Sequence, residues 1–464
     1  MFLRFIEHTR CPRSLIERHG QYPEAGRDRT LTSRGLAAED EPGRPFPAAQ
    51  ASVIGQQPGF IHDFIRGETN GSLPSGLDEA IDTLRFEKYI DNAIQNNSYN
   101  GAKSTARKVY YLLRPLFPVA FRKHLQRIAL KGWDERTFPA WPVDFSAEDI
   151  FENAFRCLLQ GLNLPEIPFI WYWPEGYSAC CVMTHDVETK AGRDFCGTMM
   201  KMETQYGVMS SFELVPEQRY EVPTELIEQI REGGCEVCIH GLNHDGKLFS
   251  SQAVFFERAK KINEYAQKWG AIGFRSPVLY RNLNWLHALK VSYDMSVPNV
   301  GHLDPQPGGC CTVMPYFIGR ILELPLTTVQ DYPLYHILKQ RSLDLWKEQT
   351  EKILGRHGLL SFIIHPDYTT ARWSKQLYEL LLVYLAGMRV DRGLWIALPH
   401  EVNEWWRHRQ DLELVNDDGG WRIRGPEAWR ARVAYASLEN GEITYRIEAA
   451  KPPVSGLSPC DICP

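Results

Sequence analysis

Residues 177–188, YSACCVMTHDVE, decide how this chain is read. The run is apolar and β-prone as far as Met183, then ends on a histidine and two carboxylates. Charges at the tip of a buried strand are costly to desolvate unless something pairs with them. Strand residues alternate faces, so Asp186 and Glu188 share one face while His185 and Val187 take the other. Two carboxylates on one face repel unless a cation lies between them or one is protonated. The competing reading is local: DVETKAG leads into a helix, where an acid serves as N-cap or first-turn charge.

Outward from this stretch, strands and helices alternate. AGRDFCGTMMKMETQYG predicts a helix closed by glycine, and PTELIEQIREGG one opened by proline and ended by two glycines. Further helices are predicted at SSQAVFFERAKKINEYAQKWG, NLNWLHALK, LDLWKEQTEKILGRHG and RWSKQLYELLLVYLAGMR. VMSSFELVP, CEVCIHG, AIGFRSP, YDMSVPN, RILELPLTTV, LLSFIIHPDY and LWIALP predict the strands. Such alternation implies a parallel sheet, either a barrel or doubly wound. Sites in that class form at the C-terminal ends of the strands. Asp186, Glu188, His240, Arg275, Asp331 and His365 all fall at such ends.

Each tip has two readings. His240 and His244, in CIHGLNHDG, have a metal-ligand spacing that also arises by accident among 14 histidines. Beside a carboxylate tip, two imidazoles and an acid suit Zn²⁺, with Co²⁺, Ni²⁺ and Fe²⁺ also compatible. Arg275, in GFRSPVLYRN, is either a surface arginine or a guanidinium that holds a carboxylate charged. His365, leaving a buried strand in LSFIIHPDY, is structural if alone and a candidate general acid opposite a metal site.

Taken in order, THDVE, HGLNH, RSP and FIIHP resemble the motifs of the polysaccharide deacetylases of the chitin-deacetylase (NodB-homology) type. The family motifs are Thr-Phe-Asp-Asp, His-Ser/Thr-x-x-His, Arg-x-Pro and Leu-x-x-His, and the resemblance covers about 173–410, half of the chain. It implies an α/β fold, a distorted (β/α) barrel of about seven parallel strands. It also implies a divalent metal, most simply Zn²⁺, and hydrolysis of N-acetyl groups from amino sugars, a carbon–nitrogen bond in a non-peptide amide. Carried over by motif, Asp186 is the general base, His240 and His244 are metal ligands, His365 is the general acid, and Arg275 orients Asp186. Val187 stands where the family often has a second, metal-binding Asp, and Glu188, on the face of Asp186, is taken as the third ligand. The family's Asp–aromatic motif is blurred. Asp331, in LTTVQDYPLY, is assigned to polarise His365, with Asp294, in SYDMSVPN, as runner-up and read as a turn residue. The implied substrate is a carbohydrate or a lipid- or nucleotide-linked amino sugar. Two alternatives stay open: a hydrolase of small linear or cyclic amides on the same fold, and a non-catalytic carbohydrate-binding member.

The rest of the sequence bounds this reading. With 464 residues, 44% hydrophobic and 23% charged, the chain can build a full core. A net charge of −5 gives no electrostatic case for a nucleic-acid partner. The 11 cysteines are odd in number and include the neighbours Cys180–Cys181 and Cys310–Cys311, which point to opposite faces of a strand. Reduced thiols and a cytoplasmic protein are expected, with no secretory signal in MFLRFIEHTRCPRSL and no transmembrane segment. CEVC and CDIC (Cys235, Cys238, Cys460 and Cys463) are read as independent of one another rather than as a zinc ribbon. WYW at 171–173 and EWW at 404–406 are assigned to core packing. Residues 1–80 are expected to be largely disordered, 81–172 a helical accessory region, 173–410 the barrel, and 411–464 a small β-hairpin extension and tail. Within the accessory region, YYLLRPLFPVAFRKHLQRIALKGW is basic and apolar, a helix packed on the protein by default and a peripheral membrane contact as the alternative.

Overall fold

The computed structural model describes residues 2–19, 73, 75–90, 133–417 and 420–449. Its strands are, in chain order, β1 (Glu166–Ile170), β2 (Ala179–Val187), β3 (Ser210–Leu214), β4 (Glu236–His240), β5 (Gly273–Arg275), β6 (Tyr293–Asp294) and β7 (Tyr316–Ile318). They continue as β8 (Ile321–Glu323), β9 (Leu359–Ile363), β10 (Leu394–Ala397), β11 (Glu413–Asp417), β12 (Gly420–Arg424), β13 (Val433–Glu439) and β14 (Glu442–Ile447).

The opening stretch forms the hub. All nine residues of β2 are buried, and it pairs in parallel with three strands. β9 runs alongside Cys180–Thr184, while β10 takes Ala179–Val182 and β3 takes Met183–Val187. From β3 the sheet continues in parallel through β4, β5, β6 and β8, and β7 closes the edge as an antiparallel hairpin with β8. The result is a curled, mostly parallel α/β half-barrel. Its two ends meet through side chains, because the Thr327 and Thr328 hydroxyls donate to the carbonyls of Leu359 (2.7 Å) and Ser361 (2.8 Å) on β9. The Ser361 amide donates back to Thr327 Oγ1 at 2.9 Å.

Strand alternation sorts the core into two layers. Cys181, Met183 and Val187 pack outward against the surrounding helices, whereas Cys180 and Val182 face a second cluster with Cys238, Tyr293 and Leu322. Cys235 and Cys238 fall on opposite sides in the same way, and every described cysteine is buried. Trp171, Trp173, Trp405 and Trp406 are buried in that second cluster, consistent with packing. No helix among the described residues is long and apolar enough to cross a membrane.

At the ends of the chain the described residues include ordered elements that the sequence expectation did not name, while 20–72, most of the segment expected to be disordered, lie outside the described residues. Within 1–80, Leu3–Thr9 and Arg13–His19 are helical, and Phe5, Ile16 and Leu77, with the adjoining Ile81, are buried with Phe151 and Phe155. These hydrophobes are too sparse in sequence to announce a core. They become one on the helix Ser146–Gly161, and the Asp78 carboxylate accepts from the amides of Leu3 and Arg4 (2.9 and 2.8 Å). β1, inside the segment expected to be helical, pairs antiparallel with β13, which pairs with β14 across an Asn440–Gly441 turn in left-handed geometry. The C-terminal hairpin is thereby stitched to the chain ahead of the barrel. Most of the basic stretch 110–133, and Cys460 and Cys463, lie outside the described residues.

Candidate metal centre

Asp186 is the last but one residue of β2 and Glu188 follows the strand, both turned to the inner side as alternation requires, while His185 turns away. The helix that follows, Lys190–Gln205, is capped by Thr189, whose side chain accepts from the Gly192 amide at 3.1 Å. Both carboxylates are therefore free of capping duty. The carbonyls of Val187 and Glu188 are held by Tyr220 Oη (2.5 Å) and Arg219 Nε (2.8 Å), two residues that sequence reasoning did not single out.

β4 ends on His240, and a turn brings His244 back beside it, with ring centroids 5.0 Å apart. The turn needs Gly241 at φ +60°, and a Cβ there would lie 2.4 Å from Pro277 Cγ. His244 itself adopts φ 54°, a strained value for a side chain that could sit elsewhere. One donor atom each from Glu188, His240 and His244 lies within 4.8 Å of the others. His244 Nε2 is 2.8 Å from Glu188 Oε1, and His240 Nε2 is 3.9 Å from the same oxygen.

These residues fit a divalent ion on chemical grounds. His240 Nδ1 lies 3.2 Å from the Arg275 carbonyl, a contact that places the proton on Nδ1 and turns the Nε2 lone pair toward Glu188. His240 Nε2 and His244 Nε2 are both buried and neither makes a hydrogen bond of acceptable geometry. Orphaned buried nitrogens are rare, and one carboxylate with two imidazoles is a donor set for Zn²⁺ or a neighbouring transition metal.

Asp186 stands 3.7 Å from His240 Nε2 and pairs with Arg275 Nη1 at 2.8 Å. Arg275 also donates to Thr184 Oγ1 (2.8 Å) and to the Met295 carbonyl (3.0 Å). Burial pushes the Asp186 carboxyl up, but His240, Arg275 and His365 outweigh it and leave the group below its ordinary value. Glu188 goes the same way and further, its burial overcome by His244, His240 and His365. Across the site, His365 Nε2 is 3.5 Å from Glu188 Oε1, while Asp331 accepts from both His365 Nδ1 (2.6 Å) and the His365 amide (2.8 Å). Burial lowers the His365 pKa, yet Asp331 and Glu188 lift it well above the ordinary histidine value.

Of the residues singled out in the sequence, Glu188, His240 and His244 are brought together, Asp186 and His365 border them, and Arg275 and Asp331 pair with Asp186 and His365 in turn. Asp294 does not join them. It is no turn residue but a buried part of β6, accepting from Ser296 Oγ at 2.5 Å. Beside it, burial and the Asp294 charge push Glu323 well above the carboxylate range. Glu213, at the end of β3, was missed. It lies 3.4 Å from Arg275 Nη1, and burial pushes its carboxyl up to about 7 against the pull of that arginine. The strand-tip rule that found the others would have found it in SSFELVP.

The fold and the site together define an α/β half-barrel with a candidate His/His/Glu metal centre at its C-terminal rim. Over half of its length the chain is structurally similar to polysaccharide deacetylases. A protein of Mycobacterium smegmatis described as a polysaccharide deacetylase matches with TM-score 0.43 and 15% identity, covering 51% of this chain and 93% of that one. The Puue allantoinase matches with TM-score 0.41 and 12% identity, over 51% and 92%. The peptidoglycan deacetylase PdaC of Bacillus subtilis matches with TM-score 0.33 and 14% identity, over 51% and 95%. No family model and no curated relative matches the sequence.

Proposed function

We propose that the protein is a metal-dependent hydrolase that removes N-acetyl groups from an amino sugar, free, polymeric or linked to a lipid or nucleotide carrier. The observation that carries this reading is the convergence of three orphaned or ionised donors, Glu188, His240 and His244, beside a separately ionised Asp186 and opposite His365. A divalent ion held by those three residues, Zn²⁺ by donor set, would polarise the acetamide oxygen and make water a nucleophile near neutral pH.

The protein's own residues supply the remaining steps. Asp186, held charged and aimed by Arg275, takes the proton of the attacking water as it adds to the carbonyl carbon. The carbon–nitrogen bond then breaks, and the nitrogen leaves as an amine with the proton of His365 Nε2. Asp331 fixes the ring through Nδ1 and keeps His365 charged until that moment. Burial of the Asp186 and His365 side chains limits competing water, while Glu188, 19% exposed, marks the open side of the site.

The test is metal analysis of the purified protein together with acetate release from N-acetylglucosamine oligomers. Stoichiometric transition metal and acetate release, both lost in His240→Ala, support the reading. Metal without acetate, with turnover of small linear or cyclic amides, moves the substrate class; a protein that holds no transition metal defeats the proposal.

A further inference from the structure

The loop after Arg275 is strained at two consecutive residues. Val278 has φ 63° and Leu279 φ 52°, and a β-branched residue in the left-handed region is an outlier that surrounding structure must enforce. The enforcement comes from outside the barrel. Arg281 Nε donates to Glu87 Oε2 at 2.6 Å, and Arg281 Nη2 donates to Glu87 Oε1, a buried two-pronged pair. The third prong, Nη1, donates to the carbonyl of the strained Leu279 at 2.9 Å. Gln306 closes the other side, its Oε1 accepting from the Arg281 amide (3.0 Å) and its Nε2 donating to the Arg281 carbonyl (3.2 Å).

Glu87 belongs to the segment just after the helix Leu77–Arg85, which also grips the barrel at Gly309. The Gly309 amide donates to Glu87 Oε1 at 2.7 Å, and Tyr89 Oη donates to the Gly309 carbonyl at 2.6 Å. The fit leaves no room, since a Cβ on Gly308 would lie 2.2 Å from Ile90 Cδ1 and 2.6 Å from Glu87 Oε1. On its inner side the loop presses on the metal-ligand turn. Pro277 lies against Gly241, whose amide donates to the Arg275 carbonyl at 3.0 Å, the same oxygen that His240 Nδ1 faces. Leu279 packs with Leu326 and Ile363, two residues before His365.

We propose that Glu87 is a positioning residue: through Arg281 it holds the strained 276–281 loop against the His240–His244 turn, so that the N-terminal region sets the geometry of the metal centre. The inference rests on the hydrolase reading only for its metal arm.

The test uses the full chain with Glu87→Gln, Arg281→Met and the double variant, followed by amide hydrogen exchange and by Co²⁺ affinity. Expected are faster exchange at 241–246, 276–283 and the Gly309 amide that Glu87 holds, with helix Asp344–Leu354 unchanged, and a loss of Co²⁺ affinity of about tenfold, in the range for residues that support ligands. The double variant, which removes both charges of the pair, should match Arg281→Met rather than exceed it. If Glu87→Gln does not fold, the double variant carries the test by itself. Wild-type exchange in both loops, exchange that rises everywhere, or effects of the two single changes that add, overturns the proposal. Exchange needs no metal, so a chain that binds no Co²⁺ defeats the hydrolase reading while the loop result stands on its own.

Discussion

His185 and His240 are both buried at strand ends, on neighbouring parts of one sheet, and they have opposite fates. His185 faces outward and is satisfied on both nitrogens, with Nδ1 2.8 Å from the Ile364 carbonyl and Nε2 2.5 Å from Glu203 Oε1. Glu203 in turn accepts from Ser210 Oγ at 2.7 Å and Tyr378 Oη at 2.5 Å, so every polar atom in that knot has a partner. His240 faces inward with one nitrogen placed by Arg275 and the other left open toward an acid and a second open imidazole. The difference teaches what separates a structural histidine from a candidate ligand. Both are buried and both are near carboxylates; only the unfinished hydrogen bonding distinguishes the second.

The largest effects should separate the two regions cleanly. His240→Ala, His244→Ala and Glu188→Gln are each expected to lose the bound metal, read by elemental analysis, with activity falling to that of the metal-free protein. Asp186→Asn should keep the metal and lower kcat roughly 10²–10⁴-fold, the usual worth of a positioned acid–base group. His185→Leu should do the reverse, holding metal at wild-type stoichiometry while costing about 3 kcal/mol by denaturant unfolding, because Glu203 is left buried without its cation. Metal loss in His185→Leu with stability intact would erase the comparison.

Alternation along β2 and the strand-tip rule make much of this legible in the amino-acid order itself. YSACCVMTHDVE carries its own face assignment, which is why Asp186, Glu188 and His185 point as their order requires. Asp331 does reach His365, although it lies beyond the end of β8 rather than at a strand tip. What the sequence hid was the long-range contacts made by residues away from the rim. The helix Leu3–Thr9 reads as part of a disordered segment until its Phe5 meets Phe151 and Phe155, and β1 reads as part of a helical region until β13 supplies its hydrogen bonds. Glu87 and Arg281, 194 residues apart, carry no local signal at all.

The His185–Glu203 knot also predicts a pH window. Burial lowers the His185 pKa, but Glu203 overrides it and holds the imidazole above its ordinary value of 6.5; this contribution is complete below 6.5 and fades as pH rises through the folded pKa. Glu203 is buried too, yet His185 and the two hydroxyls keep it below the ordinary 4.5; its contribution is complete above 4.5 and fades as pH falls. The difference in Tm between wild type and His185→Gln/Glu203→Gln should therefore peak between about pH 4.5 and 6.5 and shrink on both sides. A difference that is flat with pH would mean that folding shifts the pKa of neither group.

The smallest effect tests the local reading of DVETKAG directly. If Asp186 or Glu188 served the helix Lys190–Gln205 as a cap, removing either charge would loosen its first turn. The hydroxyl of Thr189 holds that place instead, with Thr189 in extended geometry and accepting from the Gly192 amide. Thr189→Ala should therefore cost about 1 kcal/mol by chemical denaturation, as for other N-caps, with metal content unchanged. Glu188→Gln should leave amide exchange at Gly192 as in wild type while metal is lost. Were the two variants to trade these outcomes, the carboxylates of β2 would belong to the helix, and the centre they define at the rim would lose its third ligand.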